Sequence, residues 1–106
     1  MVDVLSGKMG SDILLLDISQ MTIIADCFVI ATAESERQLA AMATGIVDEM
    51  EQSKGLKPLS IEGAAVSGWI LLDYGSIIVH LFDQVHRDRY QLEALWRDAR
   101  VIVRMA

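Results

Sequence analysis

Two short runs, Ile13–Leu16 and Phe28–Ala31, are apolar at every position. Neither alternates with period two, and neither is long enough for a helix. A run of this kind reads as a strand buried on both faces, so the sheet must be covered on two sides. That requirement points to an α/β domain and away from a helical bundle or a half-wet sandwich. The chain of 106 residues, 53% of them hydrophobic, is one domain's worth of sequence and can build one core without metal or disulfide staples. We read 1–106 as a single domain.

The remaining elements follow from local chemistry. Asp12–Ile18 and Cys27–Ala33 are the two buried strands, joined by Ser19–Ala25. Ser35–Met50 is a helix: Ser35 and Gln38 form a capping box, and Leu39, Met42, Ala43, Ile46 and Met50 make one apolar stripe. Gly55 is placed to end it, with Pro58 beyond the stop. Leu59–Glu62 reads as a short strand, Gly63–Gly68 as a small-residue loop, and His86–Ala99 as a charged turn leading into a helix. Met1–Gly10 is the end of a helix or a frayed terminus, and Val101–Val103 a short strand or a loose tail.

Between these lie Trp69–Asp73 and Ser76–Phe82, read as a hairpin around a two-residue loop, Tyr74-Gly75. That loop opposes Asp73 to Ser76, Leu71 to Ile78 and Trp69 to His80. Opposed residues share a face. One face carries Trp69, Leu71, Asp73, Ser76, Ile78 and His80; the other carries Ile70, Leu72, Ile77, Val79 and Leu81, all aliphatic. Any even loop length preserves this sorting. The aliphatic face is core. The first face mixes an indole, aliphatics, a carboxylate and an imidazole, which is the composition of a contact surface. The competing reading is that a second helix covers that face as well.

Charge and cysteine content exclude several functions. Nine basic against fifteen acidic residues give −6, and the three lysines and six arginines form no run. Direct nucleic-acid binding is disfavoured, because phosphate recognition rests on Lys and Arg. A basic protein partner fits better. One cysteine excludes an intramolecular disulfide. No run of about eighteen uncharged apolar residues exists to span a membrane, and no basic-then-apolar leader opens the chain. The expected location is the cytoplasm.

Catalytic readings are weak. His80, His86 and Cys27 lack metal-ligand spacing, so no metal is expected. Cys27 lies in an apolar strand, where a thiol is usually inert. Asp12, Asp17, Asp26 and Asp73 stand at strand ends, where an Asx turn competes with Mg²⁺ binding. Phosphoryl transfer uses paired carboxylates, and Phe28 occupies the position two residues past Asp26. No phosphate-cradling glycine loop is present, and no cofactor is expected.

Three ordered blocks carry a resemblance. The first is Asp26-Cys27-Phe28-Val29-Ile30-Ala31-Thr32 with Ser35 and Arg37-Gln38. The second is Leu56-Lys57-Pro58-Leu59, Glu62-Gly63 and Trp69-Ile70-Leu71-Leu72-Asp73-Tyr74-Gly75. The third is Val79-His80-Leu81-Phe82 with Tyr90, Leu92-Glu93 and Leu95-Trp96. Together they resemble the ribosomal silencing factor (Iojap-like) family over about Asp12 to Trp96. Cys27 stands where that family more often has Tyr, and the family's N-terminal helix is shortened. The resemblance implies a mixed-sheet α/β fold of nucleotidyltransferase-like topology without the catalytic carboxylate pattern. It also implies a binding factor rather than an enzyme. Such a factor docks on the large ribosomal subunit through its fourteenth protein, blocks joining of the small subunit when nutrients are scarce, and forms a homodimer when free. A degenerate nucleotidyltransferase-type enzyme is the alternative. The family's characteristic positions carried over as contact candidates are Trp69, Asp73, His80, Tyr90 and Glu93, to which the hairpin face adds Leu71. Asp26, Ser35 and Gln38 are expected to be structural.

Overall fold

The computed structural model describes Gly7, residues 10–91, Ala94 and residues 96–105. The reading of Met1–Gly10 lies outside the described residues apart from Gly7 and Gly10. Six strands form one mixed sheet: β1 (Ser11–Asp17), β2 (Cys27–Ala33), β3 (Ser60–Ala64), β4 (Trp69–Asp73), β5 (Ile77–Asp83) and β6 (Arg100–Met105). Their spatial order is β3-β4-β5-β2-β1-β6. Only β2 and β5 run parallel, linked by a crossover that includes helix α1 (Glu36–Lys54); the other neighbours are antiparallel. Helix α2 (Gln84–Tyr90) follows β5 directly.

The doubly apolar strands are buried on both sides. Ile13, Val29 and Ala31 join Ile70, Leu72, Val79 and Leu81 beneath Leu39, Met42 and Ile46 of α1. Leu14, Leu16, Phe28 and Ile30 turn the other way and pack with Phe82, Trp69, Ile78 and Trp96. Each fully buried Leu, Ile or Met side chain contributes about 1.5–3 kcal/mol from water exclusion. Helix α1 is stopped at both ends as its sequence predicts. Ser35 Oγ accepts from the Gln38 N–H at 3.0 Å, and Gln38 Oε1 accepts from the Glu34 N–H at 2.6 Å. Gly55, at φ +65°, closes the C-terminus with its N–H on the Glu51 carbonyl.

Two local expectations are corrected, and one alternative is decided. The hairpin turn is Gly75-Ser76 rather than Tyr74-Gly75: the Tyr74 N–H donates to the Ile77 carbonyl at 2.9 Å. Gly75 takes φ +83°, which the first central residue of a tight hairpin turn requires and which Tyr74 would adopt only under strain. The register therefore slips by two, so that Leu71 opposes His80 and Trp69 opposes Phe82. The slip is even, and the sorting of faces survives. The second correction concerns the C-terminal helix, which starts earlier than expected, while the part of that reading on Leu92, Glu93 and Leu95 lies outside the described residues. Asp83 caps it by accepting from the His86 N–H at 2.8 Å, and Gln91 ends it at φ +46° with its N–H on the Arg87 carbonyl. Of the two readings of the tail, the strand holds: it runs from Arg100 to Met105 on the free edge of β1.

Candidate functional site

The non-aliphatic face of the hairpin opens into a cleft of about 430 Å³. Trp69 and Leu71 of β4 form its floor. Glu62 and Gly63 of β3 and Ser67 of the 3₁₀ turn Ala65–Ser67 form one wall, and His86 and Tyr90 of α2 the other. Glu62 opposes Leu71 in the β3–β4 ladder, which puts its carboxylate on the Trp69 side of the sheet.

Aromatic rings build the site from below. Trp69 meets Tyr90 at a centroid distance of 4.7 Å, Phe82 at 5.2 Å and His80 at 6.1 Å. His80 lies almost parallel to Phe82 and edge-on to Phe28, which in turn meets Trp96 edge-on. Trp69 thus packs on the ring stack and also lines the cleft. Trp69 is partly exposed and Tyr90 is 42% exposed. The Trp69 indole nitrogen has no hydrogen-bond partner among the described residues.

Two glycines let the walls approach. Gly63 (φ +78°) would drive a Cβ into the Trp69 carbonyl oxygen. Gly68 (φ +79°) would set a Cβ against Asp83 Oδ2 and only 2.6 Å from His86 Nδ1. Without that Cβ, His86 Nδ1 sits 2.7 Å from Asp83 Oδ1. Burial alone would raise the Asp83 carboxyl. The hydrogen bonds from the His86 N–H and ring, with the charges of His86 and Arg89, outweigh burial and hold it below the usual carboxylate range.

The sequence-predicted candidates separate into groups. Trp69, Leu71 and Tyr90 converge on the cleft. His80 is on the expected face but only 6% exposed, so it supports the indole instead of presenting itself. Burial pushes its pKa down to about 4. Asp73 is at the turn end of β4, where its Oδ1 accepts from the Gly75 N–H at 2.7 Å, an Asx turn. Asp17 makes the same turn with the Ser19 N–H. Glu93 lies outside the described residues. Glu62, Ser67 and His86 were not singled out as cleft residues. The pairing of β3 with β4 and the Asp83 cap bring them there, and a capping Asp three residues before His86 was the available signal for the latter. Among the described residues no three His, Cys, Asp or Glu side chains come together as a metal site would need. Burial, followed by the charges of Asp17 and Asp26, pushes the Cys27 thiol up, away from the reactive thiolate.

The comparison with known families gives this cleft its context. A family model described as "Ribosomal silencing factor during starvation" matches residues 1–105. The chain belongs to the ribosomal silencing factor family. A family member from Bacillus subtilis, named ribosomal silencing factor RsfS, is 37% identical over 92 residues, covering 87% of this chain and 77% of its own. One from Haemophilus influenzae with the same name is 35% identical over 91% of this chain and 93% of its own. A mouse relative, named mitochondrial assembly of ribosomal large subunit protein 1, is 31% identical over 91% of this chain and 43% of its own length. A crystal structure of a Chromobacterium violaceum protein superposes with a TM-score of 0.85 at 32% identity, covering 91% of this chain and 79% of that one. No helix among the described residues is long and apolar enough to cross a membrane.

Proposed function

We propose that this chain silences ribosomes by occupancy: it docks on the large ribosomal subunit through that subunit's basic fourteenth protein and sterically blocks joining of the small subunit. The observation that carries this reading is the cleft of Trp69 and Tyr90, a pair of partly exposed aromatic rings held in place by Phe82 and His80. Aromatic anchors in a concave, partly desolvated setting are what interface hot spots are made of. A net charge of −6 and an acidic rim at Glu62 suit a basic partner. Membership of the silencing family and the large-subunit name of the mouse relative support the choice of subunit. In this reading the chain performs no turnover, works in the cytoplasm, and pairs with a second copy when it is free of the ribosome.

The test is co-sedimentation of the purified chain with isolated large subunits, followed by light scattering when small subunits are added. Co-sedimentation with large subunits and suppression of joining is the expected result. Free joining with the chain bound would overturn the steric mechanism. Saturable binding of a nucleotide with Mg²⁺ in calorimetry would instead favour an enzyme of nucleotidyltransferase descent.

A further inference from the structure

The cleft has a chemistry of its own. Carboxylate and π faces line it together, and among the described residues no Lys or Arg does. Glu62 supplies a carboxylate opposite Leu71. His86 Nδ1 is held 2.7 Å from Asp83 Oδ1, so the Asp83 contact engages that nitrogen and not Nε2. Trp69 and Tyr90 supply two aromatic faces tilted by 42° at 4.7 Å. Arg89 lies close enough to act on Asp83 but is not part of the cleft lining.

We propose that this cleft receives one arginine side chain of the docked protein, its guanidinium laid on Trp69 and Tyr90 and its N–H groups donated to the Glu62 carboxylate. The inference rests on the docking reading above and specifies what enters the site. A guanidinium is planar, carries five donors and no acceptor, and stacks on aromatic faces; an ammonium offers a point charge without the plane. Trp is the strongest aromatic partner for such a cation. An anion would meet the Glu62 carboxylate with no Lys or Arg among the described lining residues to compensate it. An uncharged apolar side chain would leave the Glu62 carboxylate to be desolvated without a partner. The dense charge of Asp83 behind His86 adds to the attraction for a cation.

The experiment titrates N-acetyl-argininamide into the ¹⁵N-labelled chain and follows the indole N–H of Trp69, identified by its absence from Trp69→Phe. N-acetyl-citrullinamide, which has nearly the same shape without the charge, is the control. Arginine is expected to move the Trp69 signal in a saturable way, with an apparent affinity about tenfold above that of citrulline, the sum of one exposed cation–π contact and one exposed ion pair. Glu62→Gln should bring arginine down toward the citrulline value. Equal response to the two ligands, an unmoved indole, or an unchanged arginine affinity in Glu62→Gln would each overturn the proposal. Failure here is separable from failure of the docking reading. If the chain co-sediments with large subunits while arginine leaves the indole unmoved, only the arginine site is wrong. If arginine binds as described while the chain does not co-sediment, docking is wrong and the site stands.

Discussion

Trp69 and Tyr90 meet at a ring-centroid distance of 4.7 Å although one sits on a central hairpin strand and the other on the last turn of the helix that follows it. The contact joins the sheet to α2 and forms one side of the cleft. Replacing Trp69 with Ala removes the floor of that cleft. We expect affinity for large subunits to fall by about 2 kcal/mol or more, roughly thirtyfold, as for an aromatic hot spot. Co-sedimentation titrations measure it, with circular dichroism to establish that the variant is folded. Wild-type affinity in a folded Trp69→Ala protein would remove the indole from the interface.

His80 ties stability to pH. Its pKa in the folded chain, about 4, lies below the ordinary value of 6.5 because burial disfavours the charged ring. Above pH 6.5 the group is neutral in both states and contributes nothing. As the pH falls from 6.5 to about 4, the unfolded chain takes up the proton and the folded chain does not, so stability is lost across that window and the loss levels off below it. The limiting loss is of order 3 kcal/mol. His80→Phe keeps a ring in the stack and cannot titrate. Urea unfolding at pH 7, 5.5 and 4.5 should show the variant losing less stability than the wild type; parallel losses would contradict the assignment.

Gly68 lies directly against the Asp83–His86 pair. An alanine there would adopt φ +79° and press its Cβ on the Asp83–His86 pair. Gly68→Ala should cost about 1–3 kcal/mol and displace the imidazole from Asp83. Thermal unfolding reads the first effect and the His86 ring signals the second. A variant with unaltered stability and ring shifts would show that the wall can give.

Arg87 is buried, and its Nη1 donates to Thr32 Oγ1 at 2.8 Å, joining α2 to β2. Thr32→Val keeps the shape and removes that acceptor. The expected cost is about 2 kcal/mol, since a hydrogen bond to a charged group is lost inside the protein. Chemical denaturation of the two proteins side by side checks it. A difference below a few tenths of a kcal/mol would mean that the guanidinium finds another acceptor without strain.

Much of the architecture was written in short-range pattern. The side chains of a strand alternate between faces, so with any turn of even length the Trp69–Phe82 segment had to divide into an aliphatic set and a mixed set; moving the turn by one residue shifted the pairing by two and changed neither set. Ser35 and Gly55 bounded α1 through their own side-chain and backbone chemistry. The strands apolar at every position demanded cover on two sides. The site was less legible. His80 and Trp69 share a face, yet one is buried and the other lines the cleft: Phe28 of β2 packs edge-on against the imidazole, and Trp96 packs in turn against Phe28.

Local periodicity and capping are properties of neighbouring residues and can be read along the chain. The cleft is not of that kind. Glu62, Trp69, His86 and Tyr90 come from two strands and a helix, and their meeting depends on β3 pairing outside β4, on α2 stopping at Gln91, and on two glycines without side chains at the points of closest approach. Each is a packing relation between segments distant in sequence. Such relations are resolved only when the whole core closes, because the burial energy that selects them belongs to all the segments at once.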